Sequence, residues 1–303
     1  MSKFNFKKTI SAVQKSLGKD QKRSNQFGLG NSLTAISNDP KDYVVMPDWW
    51  QKSFGVMGLQ FGKICQIAGD SDTGKTSLAL EAIKRAQEQG IAVIYVETEG
   101  KTGPEDLKNK GIDPDGVMIV STSITEEAFD GAIRLWEQFF EDYPEEKLLF
   151  VFDSFGNTVS MRDSEIDMTK ESAKVGGASK INRLGLNTMI AKMQNDPVAL
   201  LIVNYTYDNI GSVGKTAAGG KALSFFSMIT LQSSRIGWIT AVRGGVKVKL
   251  GAKVRWKVFK NHYAKSLIDD KGKQILLPDA IDLTITAEGI NPVDSLSKIN
   301  AEE

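Results

Sequence analysis

Gly69-Asp70-Ser71-Asp72-Thr73-Gly74-Lys75-Thr76 is the stretch of sequence that decides the fold. It fits the pattern G-x-x-x-x-G-K-[ST] at every fixed position. In such a loop the backbone N–H groups surround phosphates, the lysine neutralises the outer phosphates, and the last hydroxyl binds Mg²⁺. The loop and the following Ser77 therefore form the predicted ATP-binding segment, with Lys75 as a catalytic residue and Thr76 as a magnesium ligand.

The residues around the loop have the arrangement that this motif requires. The apolar run Ile64 to Ala68 predicts a strand before the loop, and Thr76 to Gln89 has the pattern of a helix after it. An accidental glycine-rich turn, the alternative, requires neither element. A partial match at Gly214-Lys215-Thr216 has Asn209 in place of the first glycine and no apolar helix directly behind it. We therefore reject it as a second nucleotide site.

The wider sequence alternates short apolar runs with longer amphipathic ones, a pattern typical of a largely parallel twisted sheet covered by helices. The predicted strands are Ile64 to Ala68, Ala92 to Glu97, Leu148 to Phe152 and Ala199 to Val203, with further β-like runs at Met228 to Gln232, Gly237 to Val242 and Lys253 to Phe259. The predicted helices are Thr76 to Gln89, Glu126 to Phe140 and Ala178 to Met193. The fold class is therefore α/β, with a phosphate-loop nucleoside triphosphatase (NTPase) core.

Carboxylates follow two of these strands. Asp153 ends the run Leu148 to Phe152, where a second magnesium-site residue is expected in proteins with this loop. A turn-capping aspartate is the alternative. Glu97 and Glu99 end the strand from Ala92, and alternation along a continuing strand would point both in the same direction. One of them could polarise an attacking water, although solvated glutamates at the strand end are an equal alternative.

Composition narrows the class of protein further. The formal net charge of the 303 residues is +1, so any nucleic-acid binding must come from local clusters of charge. The single cysteine, Cys65, lies in an apolar run and is predicted to be a buried strand residue. We find no run long enough to span a membrane and no apolar core of a secretory signal, which predicts a cytoplasmic protein without a membrane partner.

Taken together, residues from about 45 to 262 resemble the RecA family. The run Ile91 to Gly100 resembles the strand that carries the family's catalytic glutamate, a role that falls on Glu99, and Asp153-Ser154 resembles the magnesium-site pair. The resemblance implies ATP and Mg²⁺ as cofactors and a helical filament on single-stranded DNA, in which protomers associate head to tail. It further implies strand exchange with homologous duplex DNA and DNA-dependent ATP hydrolysis, with single-strand-binding and mediator proteins as further expected partners.

The resemblance also implies two DNA-binding loops, about Ser164 to Gly177 and Tyr207 to Lys221. Lysines there would contact phosphates, and glycines would let the backbone approach a strand, although solvated loop lysines are the alternative. The implied DNA-binding residues are Gly176, Gly177, Lys180, Arg183, Lys215, Gly219, Gly220 and Lys221.

The segment Lys260-Asn261-His262 resembles a Lys-x-Lys segment that reaches ATP on the adjacent protomer. Lys260 keeps the charge, whereas His262 replaces the second lysine and need not be charged near pH 7. A glutamine that relays nucleotide state to the DNA loop in bacterial members falls at Tyr205. The folded C-terminal domain that bacterial members use on duplex DNA has no counterpart in the residues after His262.

Three regions follow from this interpretation. Residues 1–41 are a polymerisation arm and linker, with Phe4, Phe6, Ile10 and Val13 on the apolar face of a short helix. Residues 42–265 are the ATPase core, and residues 266–303 are a short β-like extension with a polar tail.

Within the family, Asp153 to Asn157 and Asn204 to Tyr207 are most similar to the UvsX-type recombinases of tailed phages. This similarity implies a bacterial cell as the setting and a phage genome as a possible origin. Two alternatives share the core: a hexameric helicase motor, which would normally carry a separate N-terminal domain, and an accessory subunit that binds ATP without turnover. Intact Lys75, Thr76, Glu99 and Asp153 argue against the accessory subunit.

Overall fold

The computed structural model of the protein describes residues 36–164, 177–208, 215–217, 221–269 and 271–293, together with residue 11. The chain separates into two units, Met1–Asp39 and Pro40–Glu303, and every labelled helix and strand lies in the second. The apolar residues predicted for the arm, Phe4, Phe6, Ile10 and Val13, lie outside the described residues. So do most of the first DNA loop, residues 209–214 and 218–220 of the second, and the C-terminal tail from residue 294.

The helices, in chain order, are α1 (Asp48–Phe54), α2 (Lys75–Glu88), α3 (Pro104–Asn109), α4 (Thr125–Asp142), α5 (Met161–Ser164), α6 (Gly177–Met193) and α7 (Lys221–Phe226). The strands are β1 (Tyr43–Val45), β2 (Gly58–Gln60), β3 (Ile64–Gly69), β4 (Ala92–Glu97), β5 (Met118–Ser121), β6 (Leu148–Asp153), β7 (Val198–Asp208), β8 (Lys215–Ala217), β9 (Ile229–Arg243), β10 (Val246–Asn261), β11 (Ala280–Thr286) and β12 (Gly289–Pro292).

One large sheet forms the centre of the fold. Its strand order is β12-β11-β10-β9-β3-β7-β6-β4-β5, with β8 paired to β7. The six strands from β9 to β5 are parallel, whereas β10, β11 and β12 extend the sheet by antiparallel pairing. The predicted fold class, a largely parallel sheet flanked by helices, is confirmed.

Helices cover both faces of the parallel strands. On one face α4 and α6 bury Phe129, Trp136 and Leu186 against the strand residues Phe150 and Phe152. The helix α2 packs against β3, β4, β6 and β7 with buried residues outside that cluster, so it covers the other face. Because both faces are covered, the central strands are buried along their length, as their continuous apolar sequences predicted.

Several predicted strands are longer in the structure than their apolar runs. The strand β7 continues five residues beyond the predicted end at Val203, to Asp208. The two runs at Met228 to Gln232 and Gly237 to Val242 are one strand, β9. The mostly polar residues between those runs stay extended because they pair with β10. Backbone pairing of this kind does not require apolar side chains, so the sequence did not show it.

Cys65 lies within β3 and is 6% exposed. Burial raises the pKa of its thiol to about 12. The prediction of a buried strand cysteine is confirmed. Among the described helices, none has the length and apolar character needed to cross a bilayer.

Candidate nucleotide-binding site

The predicted phosphate loop connects the carboxyl end of β3 to the first residue of α2, Lys75. Gly74 has a φ of 82°, and a Cβ placed there would lie 1.7 Å from Cδ1 of Ile285. Asp72 also has a positive φ, 58°, which is uncommon for a residue with a side chain. The loop therefore has the strained, left-handed turns that allow successive N–H groups to face one point.

Two residues from the neighbouring strands hold the loop in this shape. The hydroxyl of Thr73 lies 2.6 Å from that of Ser233 on β9 and donates a hydrogen bond of 2.7 Å to the Asp70 carbonyl. The buried indole of Trp256 on β10 donates from Nε1 to the Thr73 carbonyl at 3.2 Å. We did not identify Ser233 and Trp256 from the sequence, because their role depends on β9 and β10 lying next to β3.

The ammonium of Lys75 lies within the loop, where Nζ donates to the Asp70 carbonyl at 2.6 Å. Burial lowers the pKa of Lys75, and the negative charges of Asp153, Glu99 and Asp70 oppose that effect. The lysine is thus a desolvated cation surrounded by carboxylates. Such a cation is suited to neutralise an anionic ligand.

Asp153 ends β6 and is 6% exposed. Burial raises its pKa to about 6, a hydrogen bond from Thr76 lowers it, and the nearby Glu99 raises it. Its Oδ2 atom has no hydrogen-bond partner among the described residues. A buried carboxylate oxygen without a donor is costly, and a hydroxyl and a carboxylate together are the oxygen ligands that Mg²⁺ prefers. Thr76 and Asp153 therefore fit a magnesium site.

Glu99 lies opposite the loop, two residues beyond the end of β4. Its Oε1 accepts a hydrogen bond of 3.1 Å from the Ser154 hydroxyl, and its Oε2 forms an ion pair with Lys101. The hydrogen bond from Lys101 is the main cause of a lowered pKa for Glu99. The carboxylate is therefore ionised and partly open to the cleft, as a general base must be.

Glu97 has a different position from the one predicted. The strand β4 ends at Glu97, so the alternation of side chains does not extend to Glu99. The carboxylate of Glu97 is 5% exposed and accepts hydrogen bonds from the backbone N–H groups of Glu99, Gly100 and Lys101, at 3.2, 2.7 and 3.2 Å. Glu97 thus fixes the turn that carries Glu99.

These side chains line one cleft of about 930 Å³ at the carboxyl edge of the sheet. One wall is the phosphate loop and the other consists of Glu99, Asp153 and their neighbours. The cleft continues toward polar residues of and around α3, namely Thr102, Asp106, Asn109 and Lys110. Its size and polar walls suit a nucleotide whose phosphates occupy the loop.

Comparison with known proteins agrees with this geometry. A family model described as the RecA N-terminal domain matches residues 7–280. The chain belongs to the RecA family. Proteins named RecA from Clavibacter michiganensis and Aquifex pyrophilus are 28% and 27% identical to it, over 79% and 86% of this chain. The matches span 64% and 72% of those two relatives. RecA from Aquifex aeolicus is 30% identical over 69% of the chain and 58% of the relative.

The structure brings only part of the predicted RecA-family site into this cleft. All residues from Gly69 to Thr76 lie in the loop or at the start of α2, and Glu99 and Asp153 face them. Lys260 and His262 do not line this cleft. His262 donates its backbone N–H to the Met228 carbonyl, and Met228 donates to Ile64 at the start of β3. The phosphate loop lies at the other end of β3, roughly 20 Å away along six residues of strand.

The predicted DNA-binding residues are described in part. Lys180 and Arg183 are exposed on α6. Gly177 begins α6, Lys215 begins β8 and Lys221 begins α7. Gly176, Gly219 and Gly220 lie outside the described residues. The assignment of these residues to DNA binding stays a prediction.

Proposed function

We propose that the protein is an ATP-dependent recombinase that forms helical filaments on single-stranded DNA and exchanges the bound strand with a homologous duplex. The observation that carries this proposal is the cleft in which Lys75, Thr76, Glu99 and Asp153 converge in a RecA-family chain. An accessory subunit without turnover would not require both an ionised glutamate and a lysine in the loop.

In this proposal each residue of the cleft has one task. Lys75 and the loop N–H groups bind the phosphates of ATP, and Thr76 and Asp153 hold Mg²⁺. When bound, the metal ion supplies positive charge that neutralises the phosphates. Glu99 accepts the proton of the attacking water, and Ser154 and Lys101 orient its carboxylate.

Glu97 supports this reaction as a positioning residue. Glu97→Gln removes an acceptor oxygen from a site with three N–H donors, so the turn that carries Glu99 should loosen. We expect kcat for DNA-stimulated ATP hydrolysis to fall about tenfold, with KM for ATP within about twofold of the wild-type value. Steady-state kinetics at several ATP concentrations measure both. Glu105→Gln, on the exposed start of α3, is the matched control. Equal loss in both variants, or an unchanged kcat in Glu97→Gln, would contradict the assignment.

The position of Lys260 supports an ATP contact between protomers. Because Lys260 and His262 lie at the amino end of β3, they cannot reach the phosphates bound to their own chain. Lys260 instead donates to the carbonyls of Ser224 and Phe225 at the end of α7, both at 2.7 Å. The helix α7 begins at Lys221, where the second DNA loop ends. A lysine that contacts a neighbour's ATP would therefore also contact the helix behind this loop.

Lys260→Ala should separate the two steps of the cycle. ATP binding by the free protomer should stay within about twofold of wild type, whereas DNA-stimulated hydrolysis should fall at least tenfold, because only the assembled filament uses Lys260. Nucleotide titration without DNA and ATPase assays with DNA check the two expectations. Lys273→Ala, which replaces an exposed lysine in the turn after Asp269, is the control. Full DNA stimulation in Lys260→Ala would remove the residue from the interprotomer site.

The coupling between nucleotide and DNA is proposed to use residues beside Tyr205. Tyr205 lines the cleft, and Thr206 donates a hydrogen bond of 3.2 Å to the Asp70 carboxylate in the phosphate loop. Both residues belong to β7, which leads into the second DNA loop. This hydrogen bond connects the phosphate loop to the strand that enters the second DNA loop, and it does not require a glutamine at position 205. The UvsX-type specificity and phage origin belong to the same proposal.

Head-to-tail assembly through residues 1–41, with residues 42–265 as the core and 266–303 as an extension, completes the proposal. Electron microscopy with a non-hydrolysable ATP analogue, with and without single-stranded DNA, tests it. We expect helical filaments with DNA. Closed rings would favour a hexameric helicase motor, and isolated particles under both conditions would favour an accessory subunit.

A further inference from the structure

The strands β9 and β10 form a long antiparallel hairpin whose outer part leaves the sheet. The strand β9 pairs with β3 only from Ile229 to Ser233, and β10 pairs with β11 only from Gly251 to Lys257. Residues 237–250, which we call the free ribbon, pair only within the hairpin. Gly244 and Gly245 form its turn, with φ of 55° and 77°. Arg243 lies ten residues beyond Ser233, roughly 30 Å of extended strand.

The hairpin has a charge distribution unlike that of the rest of the chain. Residues 229–261 contain eight lysines and arginines and no aspartate or glutamate. Because the whole chain has a formal net charge of +1, the remaining residues together carry −7. At the base of the hairpin Arg235 lies 3.7 Å from Asp72, and Arg255 forms a bidentate ion pair with Asp282. In the free ribbon, Arg243 and Lys247 have no ion-pair partner among the described residues.

The positive charges of the free ribbon lie on both faces and near its tip. Lys247 and Lys249 pair with Val242 and Thr240, so their side chains share a face with Trp238. Nζ of Lys249 lies 4.0 Å from the Trp238 ring centroid. Arg243, paired with Val246, belongs to the other face. Two apolar side chains at the tip are left in solvent, since Val242 is 72% exposed and Val246 is 64% exposed.

We propose that the free ribbon binds duplex DNA through Arg243, Lys247 and Lys249, with its aliphatic tip in a groove. A two-stranded ribbon fits the major groove of B-DNA, where apolar side chains can contact thymine methyl groups and flanking cations can contact the phosphates of both strands. A protein partner would have to be strongly acidic to match the same charges.

The direction of the ribbon agrees with this partner. The strand β9 runs parallel to β3 and β7, so the ribbon leaves the sheet at the edge that carries the phosphate loop and the start of the second DNA loop. Duplex DNA on the ribbon would lie beside a single strand held by the loops. The inference deepens the proposed recombinase function, on which it rests.

The test compares duplex with single-stranded DNA in one variant of the full chain. Arg243→Ala/Lys247→Ala/Lys249→Ala should weaken binding to a labelled duplex at least tenfold in fluorescence anisotropy. The negative slope of log affinity against log salt concentration should become shallower by about 2 to 3, because up to three phosphate contacts are lost. Affinity for labelled single strands and ATP hydrolysis stimulated by them should stay within about twofold of wild type.

Lys52→Ala/Lys271→Ala/Lys273→Ala is the matched control, because it removes three exposed positive charges that lie outside the free ribbon. Unchanged duplex affinity in the ribbon variant, or equal losses in both triple variants, would overturn the inference. Equal loss for duplex and single strands in the ribbon variant would also overturn it. The wild-type chain separates the two proposals: ATP hydrolysis that no DNA stimulates would contradict the recombinase function, whereas the duplex comparison needs no hydrolysis.

Discussion

Lys75→Ala should lower the affinity for ATP at least tenfold, a loss of more than about 1.4 kcal/mol of binding free energy. The ammonium of Lys75 is the cation within the phosphate loop, and Asp70, Asp153 and Glu99 all act on it electrostatically. Without this cation the carboxylates would repel the phosphates instead of sharing a counter-charge with them. Any bound ATP should also turn over about 100-fold more slowly or worse, because charge stabilisation of the transferring phosphate is lost.

Isothermal titration calorimetry with magnesium and ATP measures the affinity, and circular dichroism checks that the variant is folded. Lys84→Ala is the control, because Lys84 lies on the same helix but does not line the cleft. Wild-type affinity in a folded Lys75→Ala protein would refute the site assignment.

Glu99→Gln should leave ATP binding intact and reduce hydrolysis about 100-fold, the size of a typical general-base contribution. The amide keeps the shape of the side chain and can still accept from the Ser154 hydroxyl, but it cannot take a proton from water. If hydrolysis drives disassembly, filaments of Glu99→Gln on single-stranded DNA should persist longer than wild-type filaments.

Single-turnover hydrolysis and filament lifetimes after a chase with competing DNA measure the two effects. Glu105→Gln again serves as the control on the exposed side of the same region. Turnover equal to that of wild type would move the general base to another residue. Loss of ATP binding would instead show that Glu99 holds the ligand.

The sequence was sufficient to predict the parts of the site that depend on local chemistry. The loop from Gly69 to Thr76 has a glycine, Gly74, where the backbone takes a positive φ, and Lys75 lies at the start of the helix that follows. Its position between β3 and α2 followed from the apolar runs on either side. The position of Asp153 at the end of a continuous buried strand was also predicted.

The sequence was not sufficient for contacts that depend on the order of strands. Ser233 and Trp256 touch Thr73 only because β9 lies beside β3 and β10 beside β9, more than 150 residues further along the chain. The hairpin was missed for a related reason: its two exposed faces have no core to impose alternation, and its Gly244-Gly245 turn was the only local signal. The role of Glu97 was missed because it depends on the turn after β4, where three backbone N–H groups donate to its carboxylate, and apolar periodicity does not predict such a turn.

Cys65 gives the molecule a practical property. It is the only cysteine in the sequence, it lies inside β3, and its raised thiol pKa leaves very little thiolate at neutral pH. Maleimide reagents should therefore spare it, and a cysteine introduced at an exposed position can be labelled selectively without first removing Cys65. Val242→Cys at the tip of the free ribbon is one such position, and a fluorophore there would report the distance to a labelled DNA duplex by resonance energy transfer.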